Sequence, residues 1–262
     1  MKLKKNQKHF LLALDIGSKK MTLAATALEG VGSIGPIFIE TQASVGIFKG
    51  VVNDLAALSD SVGRLIKKME ARLGAKATQV ALSVNGNYIH SRHSTTAIAL
   101  SERGTRSISR RDIEKLNRQA RMLGLELDEH LLAEYPQGYS IDLHAMILNP
   151  LGLHGRKFEV DLLLICASAG YVDNIVKAIE QAGLDVVDVV FAGIAASAAV
   201  LSTEDKEAGA VFIDIGDTLT GVLIFKDGVV RHMNVLSFGG RHIDEIISNY
   251  CRIPIGLADE IK

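Results

Sequence analysis

From residue 10 onward the apolar residues fall into short blocks separated by glycine and small polar side chains. Leu11–Asp15, Met21–Leu28 and Ile37–Val45 are three such blocks, and their spacing predicts strands joined by glycine-containing turns, partly buried in one sheet. The period then changes. In "NDLAALSDSVGRLIKKMEARLG" the residues Leu55, Leu58, Val62, Leu65, Ile66 and Met69 recur at helical spacing, with Asn53 or Asp54 able to cap the first turn and Gly74 able to end the last. A strand over Gln79–Val84 follows.

Between residue 85 and about residue 160 the pattern breaks into short alternating segments, a helix "SRRDIEKLNRQARMLG" opened by Ser109, and loops expected at Pro136 and Pro150. This predicts an inserted α+β module. "EVDLLLICAS" then reads as a buried strand, "GYVDNIVKAIEQAG" as a helix ending at Gly183, and "LDVVDVVF" as another strand, resuming the earlier alternation of strand and helix. A second strand triplet comes next: Ala210–Asp214, Gly221–Lys226 closing on Asp227-Gly228, and Val229–Ser237.

The two triplets begin alike. "LALDIGSKKMTLAA" and "VFIDIGDTLTGVLI" share strand, Asp-Ile-Gly, polar turn and strand, with Asp15 and Asp214 in equivalent places. Duplicated half-domains facing each other would set two such hairpins across a cleft. Glycine lets backbone approach a phosphate, and turn N–H groups and hydroxyls donate to its oxygens. Gly17, Ser18 and Lys20 are the candidates in the first hairpin, Lys20 adding a cation. Asp15 and Asp214 are candidates to hold a Mg²⁺ ion through its water shell, because that ion keeps most of its waters and binds through few carboxylates. In the second hairpin Asp217 stands where a phosphate-gripping turn would favour another glycine.

Composition narrows the classes. The chain has 262 residues, 48% hydrophobic and 23% charged, as in a soluble globular protein of one large or two ordinary domains. A net charge of -1 gives no bulk attraction for nucleic acid, and none is expected as a partner. Cys166 and Cys251 lie far apart without a CxxC, which argues against a disulfide framework or a zinc site and fits a reducing cytoplasm. The basic start "MKLKKNQKHF" imitates a signal peptide, but Asp15 cuts the apolar stretch that follows, so export is not expected. The longest uncharged apolar run, Val189–Leu201, has 13 residues, short of a helix of about 20 that spans a bilayer. His90 and His93 are expected on opposite faces of a strand, Lys67 and Lys68 on solvated helix surface, Cys166 in a core, and the Arg103, Arg106, Arg110 and Arg111 cluster at the surface.

The order of these motifs resembles the actin, heat-shock chaperone and sugar kinase superfamily, and within it the bacterial cell-division family FtsA, over residues 10–262. The similarity is most specific in "GIFKGVVNDLAAL", "EYPQGYSIDLHAMILNPLGLHGRKFEVDLLLICAS", "AASAAVLSTEDKEAGAVFIDIG" and "FKDGVVRHMNVLSFGGRHI". It implies an α/β, actin-like (ribonuclease H-like) duplicated fold with a small inserted α+β subdomain: IA over 1–84 and 161–191, an SHS2-like IC over 85–160, IIA over 192–254, and the start of IIB at 255–262. It further implies ATP and Mg²⁺ as cofactors, with phosphate contacts from Asp15, Gly17, Ser18, Lys20, Gly216, Thr218, Gly239 and Gly240, and Lys262 near the nucleoside. The implied role is a scaffold that polymerises, associates with itself through IC, and links an FtsZ ring to the inner face of the cell membrane. The FtsZ and membrane determinants are expected in IIB and a far C-terminal helix, beyond "GLADEIK".

Two departures from the family pattern bear on hydrolysis. The second loop, DIGGGTTD-like in the family, reads here Asp214, Ile215, Gly216, Asp217, Thr218, Leu219, Thr220, Gly221, and the family's "LEPLAS" glutamate is Ala192 in "FAGIAAS". ATP binding with weak or no ATPase activity is therefore expected. A pilus-assembly scaffold of the PilM type, or a sugar-kinase-type phosphotransferase, are the alternatives.

Overall fold

The computed structural model describes residues 10–28, 34–142 and 144–262; residues 1–9, 29–33 and 143 lie outside the described residues. The first three strands are β1 (Phe10–Ile16), β2 (Lys20–Leu28) and β3 (Ile34–Ala43), followed by a small hairpin of β4 (Ile47–Phe48) and β5 (Val51–Val52). β1 turns Leu12, Leu14 and Ile16 to the core and leaves Leu11, Ala13 and Asp15 on the other face, the period-two alternation that places Asp15 at an open strand end. Helix α1 (Leu55–Leu73) covers the buried face. Its N-terminus is capped by Asp54, whose Oδ1 accepts from the Ala57 N–H at 2.9 Å, and Gly74 ends it at φ 64°, as its lack of a Cβ allows. Leu58, Val62, Leu65 and Met69 of α1 are fully buried, each burial stabilising by about 1.5–3 kcal/mol. β6 (Gln79–Val84) then enters the sheet parallel to β1.

The inserted segment forms its own sheet. Its elements are β7 (Ile89–Ala99), β8 (Arg106–Ser107), α2 (Arg110–Gly124), β9 (Glu129–Ile141), β10 (His144–Ile147), β11 (His154–Gly155) and β12 (Lys157–Ser168), and the four long strands are ordered β10-β9-β12-β7. Ser109 caps α2 in a reciprocal box with Asp112. Two expectations fail here. Residues 161–168, read as part of the first subdomain, are hydrogen-bonded along β12 between β9 and β7. The physical reason is double burial: Phe158, Val160, Leu162, Leu164 and Cys166 pack with α2, while Leu163, Ile165 and Ala167 face the main core, so the strand has the apolar continuity of a central one. Pro136 is inside β9 rather than in a loop; it sits opposite Leu162 at a register shift, an irregular point of the ladder where a residue without an N–H is tolerated.

Helix α3 (Ala169–Gln181) and β13 (Asp185–Phe191) return to the first sheet, whose order is β13-β6-β1-β2-β3. Helices α4 (Ala192–Val200) and α5 (Thr203–Ala208) lead to β14 (Ala210–Ile215), β15 (Thr220–Lys226) and β16 (Val229–Leu236), a meander closed at Asp227-Gly228 with φ of 54° and 76°. Helices α6 (Gly240–Cys251) and α7 (Ile255–Ile261) follow. Leu223, Phe225, Val230 and Met233 of the meander join the core of the first sheet, which seats the two Asp-Ile-Gly hairpins beside one another. No helix among the described residues is long and apolar enough to cross a membrane.

Candidate functional site

Both hairpins fold alike: the Gly17 N–H donates to the Lys20 carbonyl at 3.0 Å, and the Gly216 N–H to the Leu219 carbonyl at 2.8 Å. Their tips meet, with Ser18 Oγ 2.7 Å from Thr218 Oγ1, and Ser18 Oγ also accepts from the Lys49 N–H at 3.0 Å. Between the hairpins lies a cleft of about 730 Å³, whose wall includes Asp15, Gly17, Ser18 and Lys20 on one side and Asp214, Gly216, Asp217 and Thr218 on the other. The sequence repeat therefore becomes a spatial one.

The carboxylates set the electrostatics. Ser83 Oγ donates to Asp15 Oδ1 from the neighbouring strand. Burial, and then the charge of Asp15, push the Asp214 carboxyl above its ordinary range. Two like-charged groups at the ends of β1 and β14 are what a cation between them would relieve, and two carboxylates suit Mg²⁺ with most of its waters retained. The residues present thus fit such an ion. Of the cleft lysines, Lys19 pairs with Asp259 at 2.6 Å and Lys262 with Asp244 at 2.7 Å, leaving Lys20 as the lysine of this wall without an ion-pair partner among the described residues.

Two sequence-based candidates, Gly239 and Gly240, sit differently from expectation. Gly239 is buried beneath the second hairpin: a Cβ there would lie 2.5 Å from the Gly216 carbonyl oxygen, and its N–H goes to His242 Nδ1 at 3.1 Å. Gly240 lines the cleft, but its N–H is committed to the Gly216 carbonyl at 2.9 Å. These glycines support the loop that would hold phosphate. Lys262 reaches the cleft with its Nζ also 3.3 Å from the Gly240 carbonyl, and the Asp244 bond holds its ammonium above the ordinary range.

Lys19, Gly50 and Asn85 are lining residues that sequence reasoning missed. "FKG" carried a signal for Gly50, since Lys49 and Gly50 both take positive φ in a two-residue turn. Ala192 also lines the cleft, with no polar group to offer. Other residues singled out in the sequence lie away from the cleft: His90 pairs with Glu129 and His93 with Asp161, Arg106 pairs with Asp112, and burial pushes the Cys166 thiol up to about 11.

A family profile described as "SHS2 domain inserted in FTSA" matches residues 86–166, and one described as "Cell division protein FtsA" matches residues 211–262. The chain belongs to the FtsA family. Curated FtsA proteins align along nearly its whole length: that of Escherichia coli K12 is 28% identical over 99% of this chain and 61% of its own length. That of Buchnera aphidicola subsp. Schizaphis graminum is 31% identical over 100% of this chain and 62% of its own. This FtsA-family chain thus spans about 60% of the curated relatives it matches. Among solved structures it is similar to the PilM–PilN type IV pilus biogenesis complex, with TM-score 0.66 and 18% identity over 96% of this chain and 68% of that one. It is also similar to the ethanolamine utilization protein EutJ from Carboxydothermus hydrogenoformans, with TM-score 0.55 and 17% identity over 99% and 63%. The fold is the actin-like duplicated α/β fold with an SHS2 insertion.

Proposed function

We propose that this chain is the nucleotide-binding part of a cell-division scaffold: it holds ATP with Mg²⁺ between its two hairpins, hydrolyses it weakly or not at all, and in the assembled cell links an FtsZ ring to the inner face of the membrane. The observation that carries the binding claim is the convergence of two Asp-Ile-Gly hairpins on one cleft, with Asp15 and Asp214 on opposing walls. The Mg²⁺ ion, when bound, neutralises phosphate charge. Asp15 and Asp214 would hold its water shell, Ser18, Thr218 and the hairpin backbone would contact phosphate, and Lys20 would add a positive charge. Lys262, tethered by Asp244, would sit toward the nucleoside.

Weak hydrolysis follows from what the walls lack. Phosphoryl transfer depends on positioning a water and stabilising charge, and the methyl group of Ala192 orients no water while Asp217 adds negative charge beside the phosphate tail. Within the scaffold we take IA as 1–84 and 169–191, the inserted IC subdomain as 85–168, with self-association through IC, IIA as 192–254, and the start of IIB at 255–262. The test is equilibrium binding of a fluorescent ATP analogue with and without Mg²⁺, together with phosphate release. Mg²⁺-dependent binding with negligible release is expected. Absence of binding at millimolar nucleotide would defeat the reading.

A further inference from the structure

Among the described residues, one side chain that lines the cleft carries a buried polar atom without a partner. Asn85 lines the cleft, and its side-chain Oδ1 is buried without a hydrogen-bond donor. A buried amide oxygen left unpaired costs about 1–3 kcal/mol, so such an atom in a native site calls for an explanation. Its location supplies one. Asn85 follows the last residue of β6, and Ser83, two residues earlier on the same face, pairs in register with Asp15 and donates to its carboxylate. On the other side, Val84 pairs with Phe191, so Asn85 lies at the strand end beside Ala192, which offers no donor. Gly50 closes over it from the β4–β5 turn, where a Cβ would lie 1.9 Å from the Asn85 carbonyl oxygen; that packing keeps Asn85 at the floor of the cleft.

We propose that Asn85 is a further ligand-facing residue of this cleft, its Oδ1 accepting a hydrogen bond from a water of the divalent cation that Asp15 and Asp214 would hold. A hydrated dication is rich in donors and in need of acceptors, and Asn85 extends the Asp15 wall in the direction of Ala192. The proposal rests on the cation site of the function proposed above, and its test separates the two.

Mn²⁺ binding to the 262-residue chain is measured directly, by loss of the free-ion electron paramagnetic resonance signal, with and without ADP. Asn85→Leu is expected to raise the Mn²⁺ dissociation constant about tenfold, whereas Asn85→Asp, which keeps an acceptor and adds a charge, leaves it equal or lower. ADP affinity in EDTA should match wild type in both variants, and the metal-free thermal midpoint of Asn85→Leu should be equal or higher because the unpaired oxygen is gone, whereas a merely structural role would lower it. Equal Mn²⁺ affinity in wild type and Asn85→Leu, a parallel loss of metal-free ADP affinity, or no Mn²⁺ binding by wild type would each overturn the assignment of Asn85. Mn²⁺ binding that depends on Asn85 in a chain that takes no nucleotide would keep the assignment and remove the nucleotide function.

Discussion

Replacing Asp217 by glycine should tighten Mg-ATP binding. Asp217 occupies the second position of the second hairpin, equivalent to Ser18 in the first, and lines the cleft into which the phosphate tail would enter. Two unit charges roughly 7 Å apart at an effective dielectric of about 20 repel by about 2 kcal/mol, and solvent screening of this half-buried carboxylate lowers that to about 1–2 kcal/mol. The corresponding change in dissociation constant is about 5- to 30-fold. The Asp217 carbonyl accepts the Arg241 N–H at 2.7 Å and holds the start of α6, a backbone bond that glycine keeps. Asp217→Asn removes the charge without loosening the backbone and so isolates the electrostatic part. Fluorescence titration with an ATP analogue at two salt concentrations reads both variants, and the gain should shrink as salt rises. Unchanged or weaker binding in both variants, or a gain indifferent to salt, would show that Asp217 does not act through its charge on the ligand.

Adding Ala192→Glu to Asp217→Gly should raise single-turnover hydrolysis above that of either single variant, read as phosphate release; no increase would mean that the floor beside β13 does not face the reacting water. Gly239→Ala should cost about 1–3 kcal/mol in urea unfolding, because the new methyl meets the Gly216 and Asp217 carbonyl oxygens at 2.5 and 2.6 Å. Ser109→Ala should cost about 1 kcal/mol by removing the α2 cap, with nucleotide affinity unchanged. The Asp112 carboxyl is held well below its ordinary range, first by Arg106 and then by Ser109. Its contribution is therefore complete above about pH 4 and lost as pH falls through the depressed folded value, so Asp112→Asn should flatten the acid side of the stability curve measured by thermal unfolding.

How much of this was legible depended on whether the cause was local. Asp54, Ser109 and Gly74 act within four residues of themselves, and the caps they predicted are present. The hairpins were legible because the same short motif occurs twice. β12 was misplaced because a strand buried on both faces looks the same in either sheet, and only pairing with β7 and β9 distinguishes them. The pairing of Lys19 with Asp259, separated by 240 residues, and the unpartnered Asn85 have no local signature at all. The FtsA resemblance implies Gly239 and Gly240 as phosphate contacts, but their N–H groups are bonded to His242 and Gly216, partners that a motif match does not reveal.

The inserted subdomain is also tied to the half of the cleft that it does not belong to. Gln137 Nε2 in β9 donates to the Val230 carbonyl of β16 at 2.9 Å, and Arg231 donates back to the Gln137 carbonyl at 2.6 Å. β16 is laddered to β15, and β15 begins at Thr220, directly after the second hairpin. The first hairpin meets the second through the 2.7 Å contact of Ser18 with Thr218. A ligand that parts the hairpins must therefore break that hydroxyl pair, and if β14–β16 move as one sheet it must also shift β16 against Gln137. Close-packed interfaces yield to such shifts in steps rather than continuously. Occupancy of the cleft and the seating of the inserted subdomain would then be coupled through the contacts Gln137–Val230 and Arg231–Gln137, and Gln137→Ala, which touches no wall of the cleft, should change nucleotide affinity if they are.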